Sequence, residues 1–194
     1  MIKTQKNLEK TDEELVNLAL ADQDYFLYII KRYKGKLYNY IRRITNLDTE
    51  DIEDILQEVF IKVYQNLNDF DLDLKFSSWI YRIAHNQTIS HYRRAKARPQ
   101  GNAVELDDKL IKSLASDFNI EKNIDINLLR KGIYKILDNL DKKYNEVLVL
   151  KFFEEKNYKE ISDIIKKPVG TVASLLNRAK DEFRKELAKQ KIKL

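Results

Sequence analysis

The chain has 194 residues, 43% of them hydrophobic, with 36 Lys and Arg against 31 Asp and Glu, for a net charge of +5. That is enough apolar surface for a buried core, so the chain is globular rather than disordered. The 4 Gly and 2 Pro are too few turn residues for a β-sandwich or barrel, and without Cys there is no disulfide framework, thiolate zinc site or Cys nucleophile. No apolar run approaches the roughly 20 residues of a membrane span. The opening MIKTQKNLEKTDEEL has no signal-like apolar stretch. The expectation is a soluble, cytoplasmic, all-α protein without membrane insertion.

In chain order, Thr11 or Asp12 followed by Glu14 reads as a helix start leading into Leu15, Leu18 and Ala19. Residues 23–45 repeat apolar groups at helical spacing, from Phe26 and Ile29 through Tyr33, Leu37 and Tyr40 to Ile44. Asp48 or Thr49 caps a third helix that runs to about Leu67. Residues 66–75 (NLNDFDLDLK) are rich in Asn and Asp and read as a loop. Ser77 or Ser78 then caps a fourth helix carrying Trp79, Ile80, Ile83, Ala84 and Ile89. Residues 98–122, opening on Arg-Pro-Gln-Gly-Asn, break the pattern and read as a flexible interdomain linker. Helical spacing resumes over 124–140, and Asp141 caps a further run. The expected architecture is two small helical domains, 1–97 and 123–194, joined by a linker at 98–122.

Charge is distributed unevenly. Residues 1–97 carry 15 bases and 15 acids, and residues 123–194 carry 17 bases and 11 acids. Within the balanced first part, 48–58 hold six acids and no base, while 76–97 hold four bases and no acid. Two solvated helix faces would explain such runs. Segregation this complete suggests instead two partners, one basic and one anionic.

Residues 158–183 have the pattern of a helix-turn-helix. The first helix would bury Tyr158, Ile161, Ile164 and Ile165, with the break at Lys166–Gly170. Thr171 would cap the second, which buries Val172, Leu176, Ala179 and Phe183 and turns Ala173, Ser174, Asn177, Arg178 and Asp181 outward. This arrangement places a helix N-terminus in a DNA major groove, and the excess of bases suits phosphate contact.

Two blocks carry a family resemblance. DILQEVFIKVY (54–64) with FSSWIYRIAHNQTISHYRR (76–94), and YNEVLVLKFFEEKNYKEISDIIKKPVGTVASLLNRAKDEFRKEL (144–187), in this order, resemble the two conserved domains of sigma-70 family RNA polymerase sigma factors of the extracytoplasmic-function (ECF) type. The resemblance implies that core RNA polymerase, through a coiled coil of its largest subunit, docks on Asp51, Asp54, Gln57 and Glu58. It implies that Arg82, Asn86, Ser90, Arg93 and Arg94 meet the promoter's minus-ten element, the arginines at phosphates and Asn86 and Ser90 at bases. The 66–75 loop, with Asn66, Asn68 and Asp69, matches the place where the family holds an extruded base. Phe70 and Trp79 are read as core rather than stacking residues. The minus-thirty-five candidates are Lys167, Thr171, Ser174, Asn177, Arg178 and Lys180, with Lys166 near the backbone.

The sequence departs from the family at several positions. Ala173 and Leu175 stand where relatives usually have Lys and Arg, Lys166 where the turn usually has Gly, and Ser90 where Asp is frequent. Weaker or differently specified upstream recognition is expected. The linker acids Glu105, Asp107, Asp108, Asp117 and Glu121 either mimic nucleic-acid charge inside the polymerase or keep the linker solvated. An anti-sigma factor is a further partner that the resemblance implies. No HExxH, phosphate-cradling Gly loop or nucleophile elbow is present, and His85 and His91 are six apart, so no catalysis, metal, cofactor or small-molecule substrate is expected. The competing reading is a stand-alone helix-turn-helix regulator of LuxR type, which leaves the 54–94 block unexplained.

Overall fold

The structure, a computed structural model, describes residues 10–45, 47–71, 74–95 and 126–189, without the side chains of 92, 94, 95, 126–131 and 134. The linker with its five acids, and the Arg94 side chain, lie outside the described residues. All regular structure among them is helical, and along the chain the helices fall into two units, one up to residue 95 and one from residue 126.

The first unit holds α1 (Asp12–Ala21), α2 (Phe26–Ile44), α3 (Thr49–Gln65) and α4 (Phe76–Ala95), with 3-10 turns at Gln23–Tyr25 and Leu67–Asp69. A capping box starts α1: Glu14 N donates to Thr11 Oγ1 at 3.2 Å, and Thr11 N to Glu14 Oε2 at 2.8 Å. Asp12 then ties α1 to α2, accepting from Arg32 Nη1 at 2.8 Å and from the Tyr33 hydroxyl at 2.5 Å. Burial, reinforced by Asp12, pushes the Tyr33 hydroxyl well above its ordinary pKa, so it stays a donor. Asp48 caps α3 by accepting from Asp51 N at 2.9 Å. The core joins Leu15 and Val16 of α1, Leu37, Tyr40 and Ile41 of α2, Ile52, Ile55 and Val59 of α3, and Ile80 and Ala84 of α4. Each of the Val, Leu and Ile side chains contributes about 1.5–3 kcal/mol on leaving water. His85 belongs to this core, with Nδ1 at 3.0 Å from the Tyr40 hydroxyl.

Phe70 and Trp79 are core residues, as expected. Phe70 stands edge-on to Phe76 with ring centroids 5.4 Å apart and lies 5.1 Å from Trp79. This aromatic cluster overrides the expected start of α4. The helix begins at Phe76, with Ser78 N and Trp79 N both donating to Lys75 O, so neither Ser77 nor Ser78 is the cap. Phe76 is fully buried, and including it in the first turn sets it against Phe70 and Trp79.

The second unit holds α5 (Ile126–Asn139), α6 (Lys142–Leu148), a π-helical turn at Val149–Phe153, α7 (Tyr158–Ile165) and α8 (Val169–Lys189). Asp141 caps α6 and Asn157 caps α7, the latter in a capping box with Glu160. α8 buries Val172, Leu176, Ala179 and Phe183 completely, as the spacing predicts, and carries the stripe on to Leu187. Three details differ from expectation. Tyr158 is exposed, with Lys151 Nζ 5.6 Å from its ring centre, so α7 buries only Ile161 and Ile164 fully. The break is shorter than expected, because α8 begins at Val169 and Val172 N donates to Pro168 O at 3.0 Å. Thr171 therefore lies within the first turn instead of capping it. Lys166 ends α7 in the left-handed region (φ 53), a conformation in which Gly avoids a Cβ clash.

Candidate protein and nucleic-acid interfaces

The expected docking residues of α3 divide between two positions. Asp54 and Gln57 lie on the exposed ridge, together with Glu50 and Glu53. Asp51 and Glu58 are turned toward α4 instead. Asp51 Oδ1 lies 3.9 Å from His91 Nε2, and Glu58 Oε2 accepts a hydrogen bond from Gln87 Nε2. The same buried Gln87 accepts from Lys62 Nζ at 2.5 Å. Gln87 and His91 thus stitch the acidic helix to the basic one. No local sequence signal marked them, since the contacts are 29 and 40 residues apart along the chain.

On α4, Arg82, Asn86, Ser90 and Arg93 follow one another at steps of four, four and three, which puts them on one face. Asn86, Ser90 and Arg93 are exposed, Arg82 is half-buried, and no acid lies between residues 76 and 95. Among the described residues, no ion pair joins Arg82 or Arg93 to an acid of α3. The carboxylates of Asp54 and the guanidinium of Arg93 are therefore both presented to solvent, on two different ridges of one unit.

In the connecting loop, Asn66, Asn68 and Asp69 are exposed. Asn66 Nδ2 donates to Lys62 O at 2.7 Å, closing the end of α3, which leaves its side-chain oxygen for a partner. In the second unit, Lys166, Lys167, Thr171, Ser174, Asn177 and Arg178 are exposed. The Ser174 hydroxyl donates to Gly170 O at 3.0 Å and retains acceptor capacity. Lys180 is half-buried, with Nζ 5.3 Å from the Phe152 ring centre. Asp181 shares the outward face of α8 and pairs with Arg184 at 3.2 Å. Behind α8, Glu146 on α6 has its carboxyl pushed up to about 7, mainly by burial; Lys142 and Lys167 oppose the shift and Asp141 adds to it.

No helix among the described residues is long and apolar enough to cross a membrane. The family model for Sigma-70 region 2 matches residues 29–98, and the model for Sigma-70, region 4 matches residues 130–182. The ECF RNA polymerase sigma factor SigW of Bacillus subtilis is 35% identical over 171 residues, 86% of this chain and 91% of the relative. The ECF RNA polymerase sigma-E factor of Escherichia coli is 28% identical over 176 residues, 88% of this chain and 91% of the relative. Among solved structures, CnrH in complex with the cytosolic domain of CnrY has a TM-score of 0.67 at 22% identity, over 92% of this chain and 97% of that one. The sigma factor RpoE of Bartonella quintana, in complex with the anti-sigma factor NepR, has a TM-score of 0.63 at 15% identity, over 84% and 96%. The LuxR-type alternative does not account for the region 2 match or for relatives that align along nearly their whole length. With the region 2 and region 4 models matched in series and a 35% identical relative covered over 91% of its length, the chain belongs to the ECF sigma factors of the sigma-70 family.

Proposed function

We propose that this chain binds core RNA polymerase through the α3 ridge, with Asp54 and Gln57 at its centre and Asp51 and Glu58 at its α4 edge. It delivers the polymerase to promoters whose minus-ten element meets Arg82, Asn86, Ser90, Arg93 and Arg94. Asn66, Asn68 and Asp69 hold an unpaired base, whose extrusion costs a few kcal/mol that a fitted pocket offsets. Lys167, Thr171, Ser174, Asn177 and Arg178 meet the minus-thirty-five element, with Lys180 at the margin because of its contact with Phe152. The domains 1–97 and 123–194 carry these two tasks, and 98–122 links them. The chain supplies recognition and strand capture, while the polymerase supplies the chemistry. It works in the cytoplasm, and an anti-sigma factor is its third partner.

The observation that carries this reading is the separation of two oppositely charged, solvent-facing ridges on α3 and α4 of one unit. Opposite charges free to pair across a helix seam would neutralise each other; here the seam is bridged by Gln87 and His91 instead. The test adds the purified chain to core polymerase with a library of genomic fragments. Promoter-dependent transcripts sharing two sequence elements are expected. Transcripts that do not depend on the chain would contradict the reading.

A further inference from the structure

The exposed apolar residues of the first unit include a contiguous set. Ile61 is 56% exposed and Tyr64 46% exposed, and both continue the α3 ridge beyond Asp54 and Gln57 at steps of three, four and three. The ridge ends at a cleft of about 680 Å³ at the α1–α2 junction, lined by Asp22, Asp24, Phe26, Leu27, Ile30 and Tyr64 among others. Tyr64 forms a fixed wall: its ring stands edge-on to Phe26 at 5.1 Å, and its hydroxyl donates to Gln23 Oε1 at 3.0 Å. Leu27, half exposed, lies in the same cleft.

An apolar floor with a polar rim is the anatomy of a protein-docking site. Here the rim acids Asp22 and Asp24 have the same sign as Glu50, Glu53 and Asp54 at the far end of the ridge. One partner therefore satisfies both ends: a basic helix that also carries an apolar side chain. The ten residues from Asp54 to Tyr64 span about 15 Å, which three turns of a partner helix match.

We infer that the cleft at Asp22–Ile30 and Tyr64 seats an apolar side chain of the same basic polymerase helix that meets Asp54. The docking surface then runs from the α3 acids across Ile61 and Tyr64 to the α1–α2 junction. This rests on the polymerase reading of the α3 ridge, and it adds a hydrophobic anchor that the charge pattern alone does not contain.

The test uses the full chain and core RNA polymerase. Leu27→Glu and Ile61→Glu are each expected to weaken polymerase binding by about tenfold or more, with unchanged melting curves. Leu27→Ala, which adds no charge, is expected to lose about threefold, and Leu27→Met to bind like the parent. Asp54→Ala, measured alongside, separates the two ideas. If Asp54→Ala loses binding while Leu27→Glu and Ile61→Glu bind normally, the cleft proposal is overturned and the ridge reading stands. If Asp54→Ala binds normally, the ridge reading fails and takes the cleft with it. Self-association of the free chain that Leu27→Glu abolishes, with polymerase binding intact, would give the cleft to a second copy and overturn the proposal.

Discussion

The exposed ridge of α4 and the outward face of α8 have the same proposed task, yet they are built differently. The α4 ridge presents arginines with no acid anywhere on the described helix, and Gln87 and His91 hold it to its neighbour from behind. The α8 face presents Ser174, Asn177 and Arg178, keeps Asp181 in its midst, and has Lys180 drawn onto Phe152. Ala173 and Leu175, both half-buried, extend the contrast. Phosphate contact scales with the number of cations presented. On the proposed assignments, α4 meets the minus-ten element with an acid-free arginine ridge, whereas the upstream element meets Thr171, Ser174, Asn177 and Arg178, with Lys166 and Lys167 in the preceding turn.

Breaking the acid-free side has the largest effect. Arg93→Glu with Arg94→Glu is expected to lower open-complex formation by more than about a hundredfold, because repulsion replaces two phosphate contacts. Polymerase binding by the same variant should be unchanged in a pull-down, whereas equal loss of both would mean that the arginines hold the fold.

The platform of the α8 face is sensitive to pH. The Glu146 carboxyl is pushed up to about 7 by burial, above its unfolded value of 4.5. The folded state therefore binds the extra proton. Stability from this group is complete below about pH 4.5 and is lost as pH rises through 7. Glu146→Gln is expected to remove that decline and to stabilise the second unit at pH 8 by about 2 kcal/mol, read from denaturation midpoints across pH. No difference between pH 5 and pH 8 in the parent would contradict it. At the turn before α8, Lys166→Gly relieves a left-handed Cβ and is expected to add about 1 kcal/mol in the same measurement.

The smallest effect sharpens the comparison directly. Ala173→Lys adds a cation to the outward side of α8 and is expected to tighten upstream DNA binding several-fold. The slope of log affinity against log salt should steepen by about 0.9. An unchanged slope would place residue 173 away from the phosphates.

Much of this architecture is legible in the sequence because it is local. The α8 stripe of Val172, Leu176, Ala179 and Phe183 follows from helical period alone, and the caps at Thr11, Asp48 and Asp141 lie within three residues of the amides they satisfy. The spacing that set Arg82, Asn86, Ser90 and Arg93 on one face was equally visible. What the sequence hid is non-local. The start of α4 at Phe76 depends on burial against Phe70, and the inward turn of Asp51 and Glu58 depends on His91 and Gln87 from another helix. The π-helical turn at Val149–Phe153 falls in a near-continuous apolar run, where no period distinguishes one helical winding from another. Ile61 and Tyr64 are apolar yet exposed, because they share the ridge with Asp54 and Gln57.

The separation of the two ridges is tested most directly by following polymerase binding and promoter opening with one labelled protein. Asp54→Arg should fail to bind core polymerase, while Arg82→Glu with Arg93→Glu should bind within about twofold of the parent and fail to open the promoter. Equal loss of polymerase binding in both variants would show that α3 and α4 act as a single surface, contrary to the assignment of one ridge to protein and the other to DNA.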